Sequence, residues 1–190
     1  FGDDFRFGNR REGDLDYVRA LAEEFGYAVA PTATREQAGE RVSSTRIRAA
    51  LADADFDSAE RLLGRPFEMA GRVQHGQKLG RQLDAPTANI ALHRIRSPLH
   101  GVYAVNVSGG GLAGAPGVAN VGVKPTIGKS LEATLEVHVL EGSPDLYGER
   151  LTVRFRHKLR DEQKFPSLDA LKEGIATDKA NARAWLADHG

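Results

Sequence analysis

The sequence contains no cysteine. Disulfides, thiolate nucleophiles and Cys-ligated zinc are therefore excluded. Net charge is missing too, since 26 Lys and Arg stand against 26 Asp and Glu. A broad electrostatic grip on nucleic acid or on an anionic membrane is not expected, and any polyanionic ligand must be held by a local site. No apolar run approaches the length that spans a bilayer, and no charged-then-apolar leader opens the chain. The six histidines include no HxxxH pair or similar ligand spacing, which leaves zinc catalysis unsupported. What is present is the ordinary mix of a globular protein, with 41% hydrophobic and 27% charged residues among 190, enough to bury a core. The expectation is a cytoplasmic soluble protein. The chain opens at Phe1 inside what reads as a motif, so further sequence is expected upstream.

Two grammars divide the chain near residue 64. Residues 1–13 read as a Gly-, Asp- and Arg-rich loop. Asp14 can cap a helix over 15–25 with Leu15, Val18, Leu21, Ala22 and Phe25 on one face, ended by Gly26. Tyr27 to Pro31 is a strand candidate, 32–41 a polar loop, and two helices follow, one begun by Ser43 or Ser44 and one over 56–63. That is the tail of an α/β layer, too little to make a sheet alone. After Pro66, six segments read as strands: 67–74, 87–92, 101–107, 117–123, 132–140 and 150–157. Leu135, Val137 and Val139 alternate with Glu136 and His138, and Leu151, Val153 and Phe155 alternate with polar residues, which is the period of half-buried strands. Six short strands with Gly-rich turns predict a small antiparallel barrel. A final helix over 167–188 should face it with Leu168, Leu171, Ile175 and Trp185. Gly174 interrupts that helix without a local reason.

Several constellations could carry chemistry, and each has a plainer reading. GRVQHGQKLGRQLDAPTAN, residues 71–89, interleaves Gly71, Gly76 and Gly80 with Arg72, Lys78 and Arg81. Glycines let backbone N–H groups approach phosphate closely and the cations neutralise it, but a hairpin with solvated charges fits the spacing equally. Thr87 and Asn89 share one face of a strand and could ligate Mg²⁺ or orient a phosphate, or could end a turn. Glu136 faces away from the apolar residues at 135 and 137; it could accept a proton from an attacking hydroxyl or face solvent. LRDEQKF, residues 159–165, could be a solvated charge run. SSTRIR, residues 43–48, puts hydroxyls and arginines at a helix start, an anion site or an N-cap.

Read in order, these pieces resemble one family. FGDDFRFGNRREGD at 1–14, VSSTRIRAAL at 42–51, RLLGRPF at 61–67, GRVQHGQKLGRQLDAPTANI, GVYAV, GVANVGVKPTIG, LEVHVLEG, DLYGERLTVRF and LRDEQKF resemble the successive motifs of the bacterial bifunctional riboflavin kinase/FMN adenylyltransferases, the FAD synthetases. The resemblance implies an incomplete α/β nucleotidyltransferase-type fragment over 1–63. A riboflavin kinase domain over 64–190, an all-β six-stranded antiparallel barrel with a C-terminal helix, would follow it. It implies that Thr87 and Asn89 bind Mg²⁺ and the ATP phosphates, and that the loop containing Gly71, Gly76, Lys78, Gly80 and Arg81 covers the nucleotide. Glu136 would be the base that takes the ribityl 5′-hydroxyl proton, and Arg160 and Glu162 would lie in the segment that closes on the flavin. In the remnant, Asp4 would contact flavin and Ser44, Thr45 and Arg48 would hold triphosphate.

Asp84-Ala85 and Lys124 depart from the family's usual Gly-Phe and Arg. An HxGH-type motif is absent from these residues, and ordinary domain size leads to the expectation that about 100 residues of that domain lie outside them, so this chain is not expected to make FAD. The partners implied are riboflavin and ATP, with no nucleic acid and no membrane. A non-catalytic flavin-binding barrel is the alternative, though a pure binder has no need of a base at 136. The kinase module 64–190 is further expected to fold and act without residues 1–63, whose helices would be left short of apolar partners.

Overall fold

The computed structural model describes residues 2, 5–30, 32–37, 39–74, 87–92, 97–125 and 131–189. The chain forms two compact units, residues 1–44 and 45–190.

In the first unit, helix α1 (Leu15–Phe25) begins where the sequence places it. The Tyr17 N–H donates to Asp14 Oδ1 at 2.9 Å, and Gly26 closes the helix at φ 72°. This capping bond, with Arg6 alongside, holds the Asp14 carboxyl below its ordinary range. The apolar face is only half used. Val18 and Ala22 are buried, whereas Tyr17, Phe25 and Tyr27 are exposed. The strand expected at 27–31 does not form among its described residues, 27–30. A two-residue ladder of β1 (Glu36–Gln37) and β2 (Glu40–Arg41) lies instead in the segment read as loop. Gly39 at φ 77° makes that tight turn.

The second unit holds α2 (Ser44–Ala52, whose first residue belongs to the first unit), α3 (Phe56–Leu63), six strands and α4 (Leu168–His189). The strands are β3 (Glu68–Gln74), β4 (Ala88–Ala91), β5 (Gly101–Gly109), β6 (Leu112–Pro125), β7 (Leu131–Val139) and β8 (Arg150–Arg160). They close into an antiparallel barrel in the order β3-β4-β7-β6-β5-β8. All six strands expected from the sequence are present. Among the described residues, closure gives every barrel strand a neighbour on both sides, which removes the open edges a sheet otherwise exposes.

Alternation supplies the core. Along β3 every second residue is buried, and Leu135 and Val137 of β7, Val105 and Val107 of β5, and Leu151 and Val153 of β8 all point inward. Tyr103 and Phe155 meet edge to face, with ring centroids 5.3 Å apart. Helices α2 and α3 belong to this same core. Leu51, Phe56 and Ala59 are buried against it, and the Phe56 ring lies 6.0 Å from Tyr103 and 6.2 Å from Phe155. The expectation that these helices lack an apolar partner is thus corrected, because they cover the aromatic end of the barrel.

Tyr103 donates its hydroxyl to the His100 carbonyl at 2.7 Å, and burial pushes its phenol from an ordinary 10.0 up to about 12. The unfolded chain therefore ionises this group first. Its contribution to stability is intact below pH 10 and is lost as pH rises from 10 towards about 12. Denaturant midpoints should fall across that window more steeply for the native chain than for Tyr103→Phe. Parallel curves would show that Tyr103 is not the group responsible.

Helix α4 lies outside the barrel against β5, β6 and β8. Its buried residues are Asp178, Ala182 and Leu186, at i, i+4 and i+8, with Trp185 packed beside them. The expected face was partly wrong, since Leu168 is 53% exposed. Gly174 now has a reason, because a Cβ there would lie 2.5 Å from the Phe165 ring. The ring needs that space.

Candidate active site

Glu136 sits at the centre of a polar row on the outside of the barrel. In β7 its neighbours Leu135 and Val137 are each 1% exposed, so Glu136 points outward, half-buried. The register pairs it with Asn89 of β4 on one side and Asn120 of β6 on the other. Directly paired residues of antiparallel strands share a face, and their Cβ atoms lie about 4.5–5.5 Å apart. One carboxylate is therefore flanked by two amides across three strands. Thr87 precedes β4 by one residue and is half-buried, two positions from Asn89.

The segment after β8 reaches the same row. Asn120 Nδ2 donates to Glu162 Oε1 at 3.3 Å. The Glu162 carboxylate lies directly over Gly122, where an added Cβ would collide with it. The row thus runs Asn89, Glu136, Asn120, Glu162 over strands β4, β7 and β6.

Arg160 is placed differently. Its Nε and Nη2 donate to the two carboxylate oxygens of Asp178 at 2.8 and 2.7 Å, and its Nη1 donates to the Asp161 carbonyl at 2.9 Å. The Asp178 side chain is 8% exposed and that of Arg160 25%. Two-pronged pairing of this kind is the strong, geometrically specific form of an ion pair. The guanidinium also lies 5.5 Å from the Phe165 ring centroid. In this structure Arg160 fastens the end of β8 to α4.

Gly71 is likewise committed to packing. It is buried in β3, and a Cβ there would strike the Ala91 carbonyl and the Ile90 side chain. Its lack of a side chain is explained by the close approach of β3 to β4. Gly76, Lys78, Gly80 and Arg81 lie outside the described residues, as do Asp4 and Asp84-Ala85. Ser44, Thr45 and Arg48 are exposed at the start of α2. Among the described residues no group of three or more His, Asp or Glu side chains could hold a metal ion by itself.

Asn120, Gly122 and Asp178 went unnoticed in the sequence. A signal existed for each. Asn120 and Gly122 alternate with the apolar Val121 in GVANVG, which puts them on the outer face. Asp178 stands one and two helical turns before Ala182 and Leu186, an acid on an apolar face.

The outer wall of a closed six-stranded barrel thus carries one acid in register between two amides. A family model described as Flavokinase, riboflavin kinase, matches residues 63–186. A bifunctional riboflavin kinase/FMN adenylyltransferase of Pseudomonas fluorescens is 56% identical over 186 residues, which cover 98% of this chain and 60% of that protein. The protein of the same description from Escherichia coli K12 is 50% identical over 185 residues, covering 97% and 59%. The chain belongs to the riboflavin kinase family. It spans about three-fifths of the length of these curated relatives. A crystal structure called a macrolide-efflux protein from Streptococcus pneumoniae superposes with a TM-score of 0.70 at 33% identity, covering 97% of this chain and 59% of that one. That description applies to the neighbour. In this chain no helix among the described residues is long and apolar enough to cross a membrane.

Proposed function

We propose that this chain transfers the γ-phosphoryl group of ATP to the ribityl 5′-hydroxyl of riboflavin, giving FMN and ADP. The observation that carries this reading is the placement of Glu136, outward and in register between Asn89 and Asn120, in a chain of the riboflavin kinase family. Glu136 takes the hydroxyl proton as the ribityl oxygen forms its bond to phosphorus and the bond to the β,γ-bridging oxygen breaks. The protein's task is then positioning and charge placement, which is where catalysis of phosphoryl transfer resides.

Thr87 and Asn89 offer a hydroxyl and an amide oxygen beside that base. These are hard oxygen donors, and two of them suit Mg²⁺, which usually keeps several waters and binds through few protein groups plus substrate phosphates. When bound, Mg²⁺ would neutralise charge on the phosphate oxygens. The loop residues Gly76, Lys78, Gly80 and Arg81 fit the role of covering those phosphates. Arg160 acts on the flavin side by anchoring the segment that contains Glu162. A cytoplasmic location suits an enzyme that uses ATP.

In this reading residues 64–190 are the kinase domain, and 1–63 come from an FMN adenylyltransferase domain of the parent protein. Asp4, Ser44, Thr45 and Arg48 would be that domain's flavin and triphosphate contacts. The first unit leaves Phe25, on the apolar face of α1, 68% exposed, which is compatible with further packing against the rest of such a domain.

Incubating the chain with riboflavin and Mg-ATP and separating the products tests the proposal. FMN is the expected product; bound but unconverted flavin would favour a non-catalytic flavin-binding barrel instead. Thr87→Ala and Asn89→Ala should each weaken Mg-ATP binding by roughly tenfold, the scale of one lost ligand or charge-assisted hydrogen bond, and riboflavin binding less. Calorimetry that shows unchanged Mg-ATP affinity in both variants would remove the pair from the nucleotide site.

A further inference from the structure

The segment 161–165, between β8 and α4, is fixed at both ends. Arg160 is paired with Asp178, and Phe165 rests on Gly174. Between these anchors Glu162 crosses to β6, where Asn120 donates to it at 3.3 Å and Gly122 gives it room. Gly122 lies in mid-strand, paired with Thr134, and is not among the glycines of positive φ. Its backbone conformation is open to any residue, and glycine weakens a strand interior. The space above it, filled by the Glu162 carboxylate, is what a side chain there would remove.

Asn120 shows a second oddity. Its Oδ1 is buried and has no hydrogen-bond partner among the described residues. A buried acceptor left unpaired is unfavourable and calls for an explanation beyond packing. The same residue is in register with Glu136. One amide thus stands next to the proposed base in its row and holds the carboxylate of the segment that crosses the row's end.

We propose that Asn120 and Gly122 form a seat for Glu162, and that this seat positions the 161–165 segment for binding of the flavin substrate beside Glu136. The inference rests on the proposed phosphorylation of riboflavin. Asn120 and Gly122 are positioning residues: they act on the flavin through Glu162. The Asn120–Glu162 hydrogen bond holds the segment on one side, and the absence of a Cβ at 122 lets it lie flat on β6.

Two variants of the 190-residue chain, Asn120→Ala and Gly122→Ala, disturb the seat by different means, one by removing the donor and the other by displacing the carboxylate. Backbone amides at 161–165 should exchange with solvent faster in both than in the native chain, without any ligand, while protection of β5 and β8 is unchanged. Riboflavin Kd, read from flavin fluorescence, should rise on the order of tenfold in both, the factor that one lost hydrogen bond gives. The KM for ATP should stay within about twofold. A merely structural role would loosen the barrel strands or shift both substrates alike, and either result overturns the proposal. Native exchange at 161–165 in both variants overturns the seat. Faster exchange with unchanged riboflavin affinity overturns its link to the flavin. If the native chain binds riboflavin but makes no FMN, the kinase reading falls, while exchange and affinity still judge the seat.

Discussion

Glu136→Gln lowers FMN formation by roughly 10²-fold or more, the usual scale for loss of a general base, and leaves both substrates able to bind. The substitution keeps the shape of the side chain and its place between Asn89 and Asn120. It removes the ability to take a proton. The flanking residues are amides and cannot substitute, since a neutral amide is a poor base. Glu162 is a second carboxylate at the end of the row, held by Asn120, and it is the natural rival for the role. The two are separable. If Glu162 were the base, Glu136→Gln would retain turnover near that of the native chain and Glu162→Gln would abolish it. If Glu136 is the base, Glu162→Gln raises the riboflavin requirement and the loss of turnover follows position 136. Single-turnover measurements with saturating riboflavin and Mg-ATP separate the chemical step from binding.

The sequence announced the strands more clearly than their arrangement. Alternation such as Leu135, Glu136, Val137 is a property of one segment, and each of the six strands expected after Pro66 is found within a few residues of its predicted span, whereas Tyr27 to Pro31, which has no such alternation, forms no strand among its described residues. The ring order β3-β4-β7-β6-β5-β8 depends on which strands meet across long separations, and a period of two says nothing of that. The outward direction of Glu136 and the shared face of Thr87 and Asn89 were legible for the same local reason, but the register that makes Glu136 and Asn89 neighbours was not. Gly174 shows the limit from the other side. Within its helix it looked like a cost without a cause, and the cause is Phe165, nine positions earlier and in a different segment. Arg160 was read as a flavin contact from its motif. Its tie to Asp178 lies eighteen positions on, in the final helix, a separation that no local pattern in LRDEQKF reveals. Leu168 failed as a core residue because an amphipathic stripe drifts around a 22-residue helix that touches the barrel mainly through its later turns.

Phe56→Ala in the full chain costs about 3–5 kcal/mol of stability, the range for emptying a buried aromatic site. The packing boundary and the family boundary do not coincide, and this substitution measures the difference. The family model begins at residue 63, so a chain starting at 64 would look like a complete module. The core extends upstream of that boundary. Leu51 is 2% exposed, Ala59 is fully buried, and Phe56 packs on Tyr103 and Phe155 at one end of the barrel. Deleting residues before 64 strips these three side chains from the core at once and leaves the two aromatic rings facing water. Arg154 would also lose its contact with Glu60, but at 3.4 Å, with side chains 38% and 44% exposed, that pair contributes little. The apolar loss dominates. A chain of residues 45–190, which retains α2 from Thr45 and all of α3, should therefore unfold at a higher denaturant concentration than one of residues 64–190. The shorter chain should lose several kcal/mol, a large share of the 5–15 kcal/mol that ordinary domains possess. Any FMN formation by the shorter chain should fade first on warming. Equal midpoints for the two chains, or a Phe56→Ala cost below about 1 kcal/mol against the range for such sites, would show that α2 and α3 merely rest on a barrel that is stable without them.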